Sequence, residues 1–173
     1  RYSEVAQHST YKGIIVRSIE DFPSVMGSLR KCGFESSDVT VERLDRWKRI
    51  HKNIKFVQIL DCIEGFRREK NKNEIEKILD ACSITKKVLQ QIPSLLKIGM
   101  SEGSLAWKIE EISRKMGADG MAFETIVAFG ENSSQPHHKP KNRKLTATDV
   151  IQIDMGVKYD SYCSDFSRVY FIS

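Results

Sequence analysis

The sequence lacks the features that mark a membrane or secreted protein. None of its 173 residues belongs to an apolar run long enough to span a membrane, and no charged-then-apolar leader resembles a secretion signal. The four cysteines lie far apart and form no CxxC pair, so we expect reduced, mostly buried thiols. These absences favour a cytoplasmic protein with no membrane partner.

A concentrated positive charge is also missing. The net charge of +5 is spread evenly over the two halves of the chain, whereas a nucleic-acid-binding protein usually carries its charge in a patch or tail. The one dense basic run, residues 139–144, has the composition of an exposed loop. With 40% hydrophobic and 29% charged residues, the composition is that of a globular protein, and we expect no nucleic-acid partner.

Residues 1–68 alternate between strand and helix patterns. A strand is predicted at residues 13–16, followed by a helix that ends at Gly33, a strand that begins at Val39 and a strand at residues 56–60. This alternation favours a small α/β sheet flanked by helices. The region contains no phosphate-binding glycine loop and no nucleophile with a neighbouring base.

A polar segment, residues 65–73, is the predicted boundary before a second domain, residues 69–173. Two helices come first. The apolar spacing predicts one over residues 75–92, ended by the following proline, and another over residues 101–117, with Trp107 in its buried stripe. Strand patterns follow the helices, so this part is predicted as α+β.

The strand patterns lead to the candidate site. A half-buried strand is predicted at residues 122–129, followed by a loop of small polar residues and then by His137 and His138. Residues 151–170 are predicted as two strands joined by a tight turn.

Asp154 and Asp165 lie on opposite arms of that hairpin, where both could approach one cation. Aspartates near turns also bond the local backbone commonly. On these residues alone, a structural pair and half of a metal site both remain open.

Six short blocks carry a family resemblance. In chain order they are KIGMSE (97–102), FETIV (123–127), GENS (130–133), PH (136–137), IDMG (153–156) and YCSDFSR (162–168). Their order and spacing resemble the first half of the catalytic domain of the pita-bread metallopeptidases, which include aminopeptidase P, prolidase, creatinase and methionine aminopeptidase. Residues 1–68 resemble the latter part of the creatinase-like α/β domain that precedes it in the first three. Methionine aminopeptidases generally lack that domain, so the resemblance favours the proline-directed branch.

The resemblance implies a role for each candidate site residue. Asp154 matches the aspartate that chelates one metal ion, and Asp165 matches the aspartate that bridges two ions. His137 matches a histidine that binds no metal and donates a hydrogen bond to the substrate. His138 has no such match and is expected to be a bystander or an outer neighbour of the site. The implied cofactors are two divalent ions, with manganese as first choice and cobalt or zinc as alternatives.

The implied activity is that of an Xaa-Pro aminopeptidase acting on a proline-containing peptide as a homo-oligomer. The alternatives are an Xaa-Pro dipeptidase (prolidase), a pita-bread module that binds proteins without metals, and a split or degraded gene product. In this family one histidine and two glutamates from the second half complete the metal centre. We therefore expect the sequence to be a piece of a longer protein and the 173-residue chain alone to be inactive.

Overall fold

The computed structural model describes residues 29–172, apart from the side chain of Cys62. The chain divides into two compact units, Arg1–Glu69 and Lys70–Ser173. The strand predicted at residues 13–16 and most of the helix predicted before Gly33 lie outside the described residues.

The described part of the first unit has α/β architecture. Its elements in chain order are β1 (Lys31–Glu35), α1 (Val41–Ile50), β2 (Lys55–Ile59) and α2 (Cys62–Arg68). Strands β1 and β2 pair in parallel, with Lys31 opposite Lys55 and Glu35 opposite Ile59. Because parallel neighbours need a crossover connection, α1 lies between them in the chain. The strand predicted at residues 56–60 is confirmed with a one-residue shift.

Two boundary predictions in this unit are wrong. Gly33 does not end a helix but lies inside β1, where a Cβ atom would approach the Ile59 side chain to 3.1 Å. Val39 does not begin a strand. Thr40 instead caps α1 by accepting a hydrogen bond from the Arg43 N–H at 3.2 Å, and a local cap outweighs the β preference of two valines.

The second unit places two helices before two small antiparallel sheets. Its elements are α3 (Lys72–Leu95), α4 (Glu102–Lys115), β3 (Gly120–Met121), β4 (Ile126–Phe129), a 3-10 helix (Gly130–Ser134), β5 (Val150–Met155), β6 (Val157–Tyr159), β7 (Tyr162–Cys163) and β8 (Phe166–Phe171). The sheets have the strand orders β4-β5-β8 and β3-β6-β7.

The helix ends differ in part from the prediction. The polar segment between the units is short, because α2 extends to Arg68 and an Asn71 capping box starts α3. Helix α3 continues through Pro93 to Leu95, since packing of Ile92 and Leu95 against the core outweighs the lost N–H of proline. The second helix is confirmed.

The core of the second unit lies between the helices and one face of the β4-β5-β8 sheet. Buried residues of that face are Val127, Phe129, Ile151, Ile153 and Met155, and the helices contribute Val88, Ile92, Leu105 and Ile109. The predicted strand at residues 122–129 is shorter than expected, and all four residues of β4 are buried. Trp107 is 69% exposed rather than in the core, because it is two positions away from both Leu105 and Ile109 on the helix.

The predicted hairpin over residues 151–170 is more complex than two strands and a tight turn. Strands β5 and β8 do pair antiparallel, but the smaller β6–β7 hairpin is inserted between them. Its turn lies at Asp160 and Ser161, which both have positive φ, as a type I′ turn requires. At Gly156 the chain passes from one sheet to the other.

The cysteines are less buried than predicted. Among the three whose side chains are described, Cys32 and Cys82 are half-buried and Cys163 is exposed, and all three are free thiols.

Candidate metal and peptide site

Asp154 lies on the face of the β4-β5-β8 sheet that is turned away from the helices. In register it stands between Ile126 of β4 and Ser167 of β8. Its Oδ1 atom is buried and has no hydrogen-bond partner among residues 29–172. An unsatisfied buried acceptor costs about 1–3 kcal/mol, and more for a charged group. A carboxylate oxygen in this situation fits the role of a ligand for a hard divalent cation.

Asp165 immediately precedes β8 and is exposed. Pairing of β5 with β8 begins with Phe166 opposite Met155, and Asp165 is the residue just before Phe166 in the chain. Side chains alternate along a strand, so a regular continuation of β8 by one residue would put Asp165 on the face of Ser167 and Asp154. The two aspartates therefore lie at the same end of the β5–β8 pair.

The stretch before Asp165 is fixed by Ser164, which is buried. The Ser164 Oγ accepts a hydrogen bond from the Val157 N–H at 3.0 Å, and it lies 2.7 Å from the Thr85 Oγ1 of α3. Gly156 is required here, because a Cβ atom at that position would overlap the carbonyl group of Ser164. This close approach sets where the chain enters β8.

Helix α3 also holds the β6–β7 hairpin at its surface. The Tyr162 hydroxyl donates to the Glu74 carboxylate at 2.9 Å, and Lys77 Nζ lies 2.8 Å from the Asp160 carboxylate. Two hydrogen bonds lower the pKa of Glu74 below its ordinary value. The larger effect comes from the Asn71 backbone and the smaller one from the Tyr162 hydroxyl. The same hydrogen bond raises the pKa of Tyr162.

The two adjacent histidines have opposite environments. His137 is exposed in a turn, whereas the His138 side chain is buried, and its Nε2 lies 2.9 Å from the Glu102 Oε2. Within the described part of the chain, no group of three or more His, Cys, Asp or Glu residues is placed to hold a metal ion. Asp154 and Asp165 therefore have no third His, Cys, Asp or Glu ligand grouped with them among the described residues.

Glu102 is a residue of this region that sequence reasoning missed. Its fully buried carboxylate contacts Phe129, Asn132, His138 and Lys141, which lie 27 to 39 residues away along the chain. Burial acts to raise the pKa of Glu102, but these four hydrogen bonds together lower it below its ordinary value. The sequence shows Glu102 as an acidic residue in the first turn of a helix, which already has a local explanation.

An ion pair lies next to Gly130, the residue that follows β4. Arg143 donates to both carboxylate oxygens of Asp149, at 2.8 and 2.9 Å, and lowers the pKa of Asp149 to about 2. The same pairing raises the pKa of Arg143 further. Gly130 has a φ of +51°, and a Cβ atom there would lie 2.5 Å from both members of the pair.

Comparison with known proteins decides the family. The model of metallopeptidase family M24 matches residues 76–173, which is more than half of the chain. The chain belongs to metallopeptidase family M24. The family is one of metallopeptidases, which are peptide hydrolases with divalent metal ions as cofactors. None of the described helices is both long and apolar enough to cross a membrane.

Curated M24 relatives extend well beyond this sequence. An uncharacterized peptidase of Staphylococcus haemolyticus is 31% identical over 168 residues, which cover 95% of this chain and 48% of the relative. The uncharacterized peptidase YqhT of Bacillus subtilis is 28% identical over 165 residues, which cover 95% of this chain and 46% of the relative. The chain thus spans about half the length of the relatives it matches.

Solved M24 structures confirm the predicted fold. The X-Pro aminopeptidase from Thermotoga maritima has a TM-score of 0.89 and 31% identity over 98% of this chain and 50% of that protein. The prolidase from Pyrococcus furiosus has a TM-score of 0.89 and 27% identity over 98% of this chain and 53% of that protein. The chain therefore has a partial creatinase-like α/β domain followed by the first half of a pita-bread catalytic domain.

Proposed function

We propose that this chain supplies the first two ligands of a dinuclear metal centre in an Xaa-Pro aminopeptidase. In this proposal Asp154 binds one ion and Asp165 bridges both. The observation that carries it is the buried Asp154 Oδ1, which lacks a partner among the described residues and lies at the same strand end as Asp165. Membership of family M24 and the likeness to the X-Pro aminopeptidase from Thermotoga maritima support the same assignment.

The residues of the chain have separate tasks in this proposal. When bound, two divalent ions supply an activated water near neutral pH and polarise the scissile carbonyl. Asp154 and Asp165 offer hard oxygen ligands that suit manganese, our first choice, as well as cobalt or zinc. His137, exposed at the tip of its loop, donates a hydrogen bond to the peptide and so stabilises developing negative charge. The substrate is a peptide with proline in second position.

Two carboxylates are too few protein ligands for two ions. We therefore propose that one histidine and two glutamates from a second half complete the centre. This second half corresponds to the part of the relatives that this chain does not match. The 173-residue chain alone then has no appreciable peptidase activity. We further propose that the complete protein is a cytoplasmic homo-oligomer, in which residues 1–68 are part of the N-terminal domain and residues 69–173 are the first half of the catalytic domain.

Prolidase activity is the second candidate. It is supported by the TM-score of 0.89 to the prolidase from Pyrococcus furiosus, which equals the score to the X-Pro aminopeptidase from Thermotoga maritima. The two activities differ in substrate length, because a prolidase acts on an Xaa-Pro dipeptide and an aminopeptidase removes the residue before proline from longer peptides. A protein-binding module without metals is less favoured, because such a module does not need the unpaired Asp154 oxygen.

Fusion to a second half tests the proposal. The chain is joined to the part of the Thermotoga maritima X-Pro aminopeptidase that it does not match, loaded with manganese, and assayed on Ala-Pro and on Ala-Pro-Ala. We expect manganese-dependent cleavage before proline, with the tripeptide preferred. Preference for the dipeptide would favour prolidase. Clear cleavage by the 173-residue chain alone, or a fusion that is folded, binds manganese and cleaves neither peptide, would contradict the proposal.

A further inference from the structure

Residues 130–141, here called the histidine loop, are held at both ends and exposed in the middle. The loop begins after the buried β4 residue Phe129, and its central residues Pro136 and His137 are exposed. A hydrogen bond from the His138 N–H to the Gln135 carbonyl oxygen, at 3.2 Å, closes a turn around those two residues. Proline is well suited to the second position of such a turn, and His137 takes the third.

A single carboxylate ties the two ends of the histidine loop together. The Glu102 Oε1 accepts from the Phe129 N–H at 2.9 Å and from the Asn132 side-chain amide at 2.8 Å, both at the start of the loop. The Glu102 Oε2 accepts from the Lys141 N–H at 3.0 Å and lies 2.9 Å from the His138 Nε2, both at its end. Glu102 lies in the first turn of α4, so the loop is anchored to a helix of the core.

The contact with His138 is directional. Since the carboxylate accepts, the Nε2 atom of His138 donates, and in the neutral ring the Nδ1 atom is the acceptor. That Nδ1 atom is buried and has no hydrogen-bond partner in the part of the chain that is described. Among the described residues, the contact with Glu102 is therefore the polar contact that fixes the His138 ring. Because His138 follows His137 directly, the same contact orients the chain next to His137.

Backbone contacts bring the end of the loop onto the same helix start. The Glu102 N–H donates to the Arg143 carbonyl oxygen at 3.2 Å, and the Gly103 N–H donates to the Lys141 carbonyl oxygen at 3.1 Å. These bonds do not involve the carboxylate, so a change confined to the Glu102 side chain leaves them in place. The effect of the carboxylate can therefore be separated from the docking of the helix.

We infer that Glu102 is a positioning residue for His137: its buried carboxylate sets the backbone of the histidine loop and so places the exposed imidazole that is presented to the peptide. The inference rests on the proposed function for the role of His137 in substrate binding. The placement itself depends only on the four contacts of the Glu102 carboxylate, which are with Phe129, Asn132, His138 and Lys141.

The test compares Glu102→Gln with Glu111→Gln, a solvent-facing change on the same helix, in the 173-residue chain. Amide hydrogen exchange at Phe129 and Lys141 is followed by NMR, together with the ring resonances of His137. A glutamine cannot accept at all four positions, so we expect exchange of at least one of these two amides to quicken about tenfold or more, with no change at the α3 amides. We also expect the His137 ring signals to shift or broaden. Glu111→Gln should match the wild type in every readout.

A pair of substitutions at His138 adds a rescue. His138→Gln keeps a donor to Glu102, whereas His138→Phe removes it, so the first should retain sharp His137 ring signals and the second should reproduce Glu102→Gln. Unchanged His137 signals in both Glu102→Gln and His138→Phe would overturn the inference. If Glu102→Gln does not fold, the two His138 variants still decide it. Absence of peptidase activity in the wild-type fusion would reject the proposed function alone, because none of these signals depends on catalysis.

Discussion

The two aspartates and the histidine loop are held in place in different ways. Asp154 and Asp165 take their positions from the register of β5 with β8 and from the Gly156–Ser164 approach between them. The histidine loop has no strand to set its shape and depends on the carboxylate of Glu102, far away in sequence. A site can thus combine ligands fixed by regular backbone pairing with a loop fixed by one buried charge.

Removing either aspartate should have the largest effect. We expect Asp154→Asn and Asp165→Asn each to lower the manganese-dependent activity of the fusion by more than about 100-fold, because loss of even an outer partner of a metal ligand costs about 10–100-fold. Steady-state kinetics with a proline tripeptide measures it. Asp80→Asn, an exposed change on α3, is the control and should leave activity unchanged. Activity within threefold of wild type in both aspartate variants would remove the aspartates from the centre.

Gly156→Ala should be the next most disruptive change, because it acts on the backbone approach that places Asp165. The added methyl group overlaps the Ser164 carbonyl, so we expect a loss of about 3 kcal/mol or more in the free energy of unfolding. Urea denaturation measures this loss. Gly65→Ala in α2 is the control, since no described atom lies within 4 Å of the added Cβ. Similar midpoints for both variants would show that the chain relaxes around Gly156 at little cost.

The ion pair between Arg143 and Asp149, beside the histidine loop, should make the free energy of unfolding depend on pH. The pKa of Asp149 is lowered from 3.8 to about 2, chiefly by Arg143. A lowered carboxyl pKa contributes stability above about pH 4 that is lost as the pH falls toward about 2, and a shift of this size corresponds to about 2 kcal/mol.

The measurement is the free energy of unfolding of wild type and Asp149→Asn across this range. We expect the difference between the two proteins to be largest near neutral pH and to shrink with acidification. A difference that stays constant from about pH 6 to about pH 2 would mean that the ion pair is not its source.

Thr85→Val should have the smallest effect. It keeps the shape of the side chain and removes one buried hydrogen bond to Ser164, worth about 1 kcal/mol. We expect a small shift in the unfolding midpoint and larger NMR shifts in residues 162–165 than in the histidine loop. Equal shifts in both regions would show that the two parts of the site are not independently supported.

The sequence could predict features that depend on local strand register, but not those that depend on contacts between distant residues. Alternation in β5 and the family blocks were enough to select Asp154 and Asp165, because strand register is a local, periodic property. The inserted β6–β7 hairpin was missed, since the close approach at Gly156 depends on a residue eight positions later. Glu102 was missed for a stronger reason: its four partners come together only through the tertiary fold. Trp107 shows the opposite error, in which an apolar residue was assigned to the core from its neighbours alone.

The most direct test of the central claim is calorimetric titration of manganese into the fusion with a second half, in its wild-type form and with Asp154→Asn or Asp80→Asn. We expect saturable binding to the wild-type fusion and to its Asp80→Asn variant, and loss of that binding in the Asp154→Asn variant while its fold is retained by circular dichroism. Equal binding by the wild type and Asp154→Asn, or no binding by the folded wild type, would contradict the assignment of Asp154 as a metal ligand.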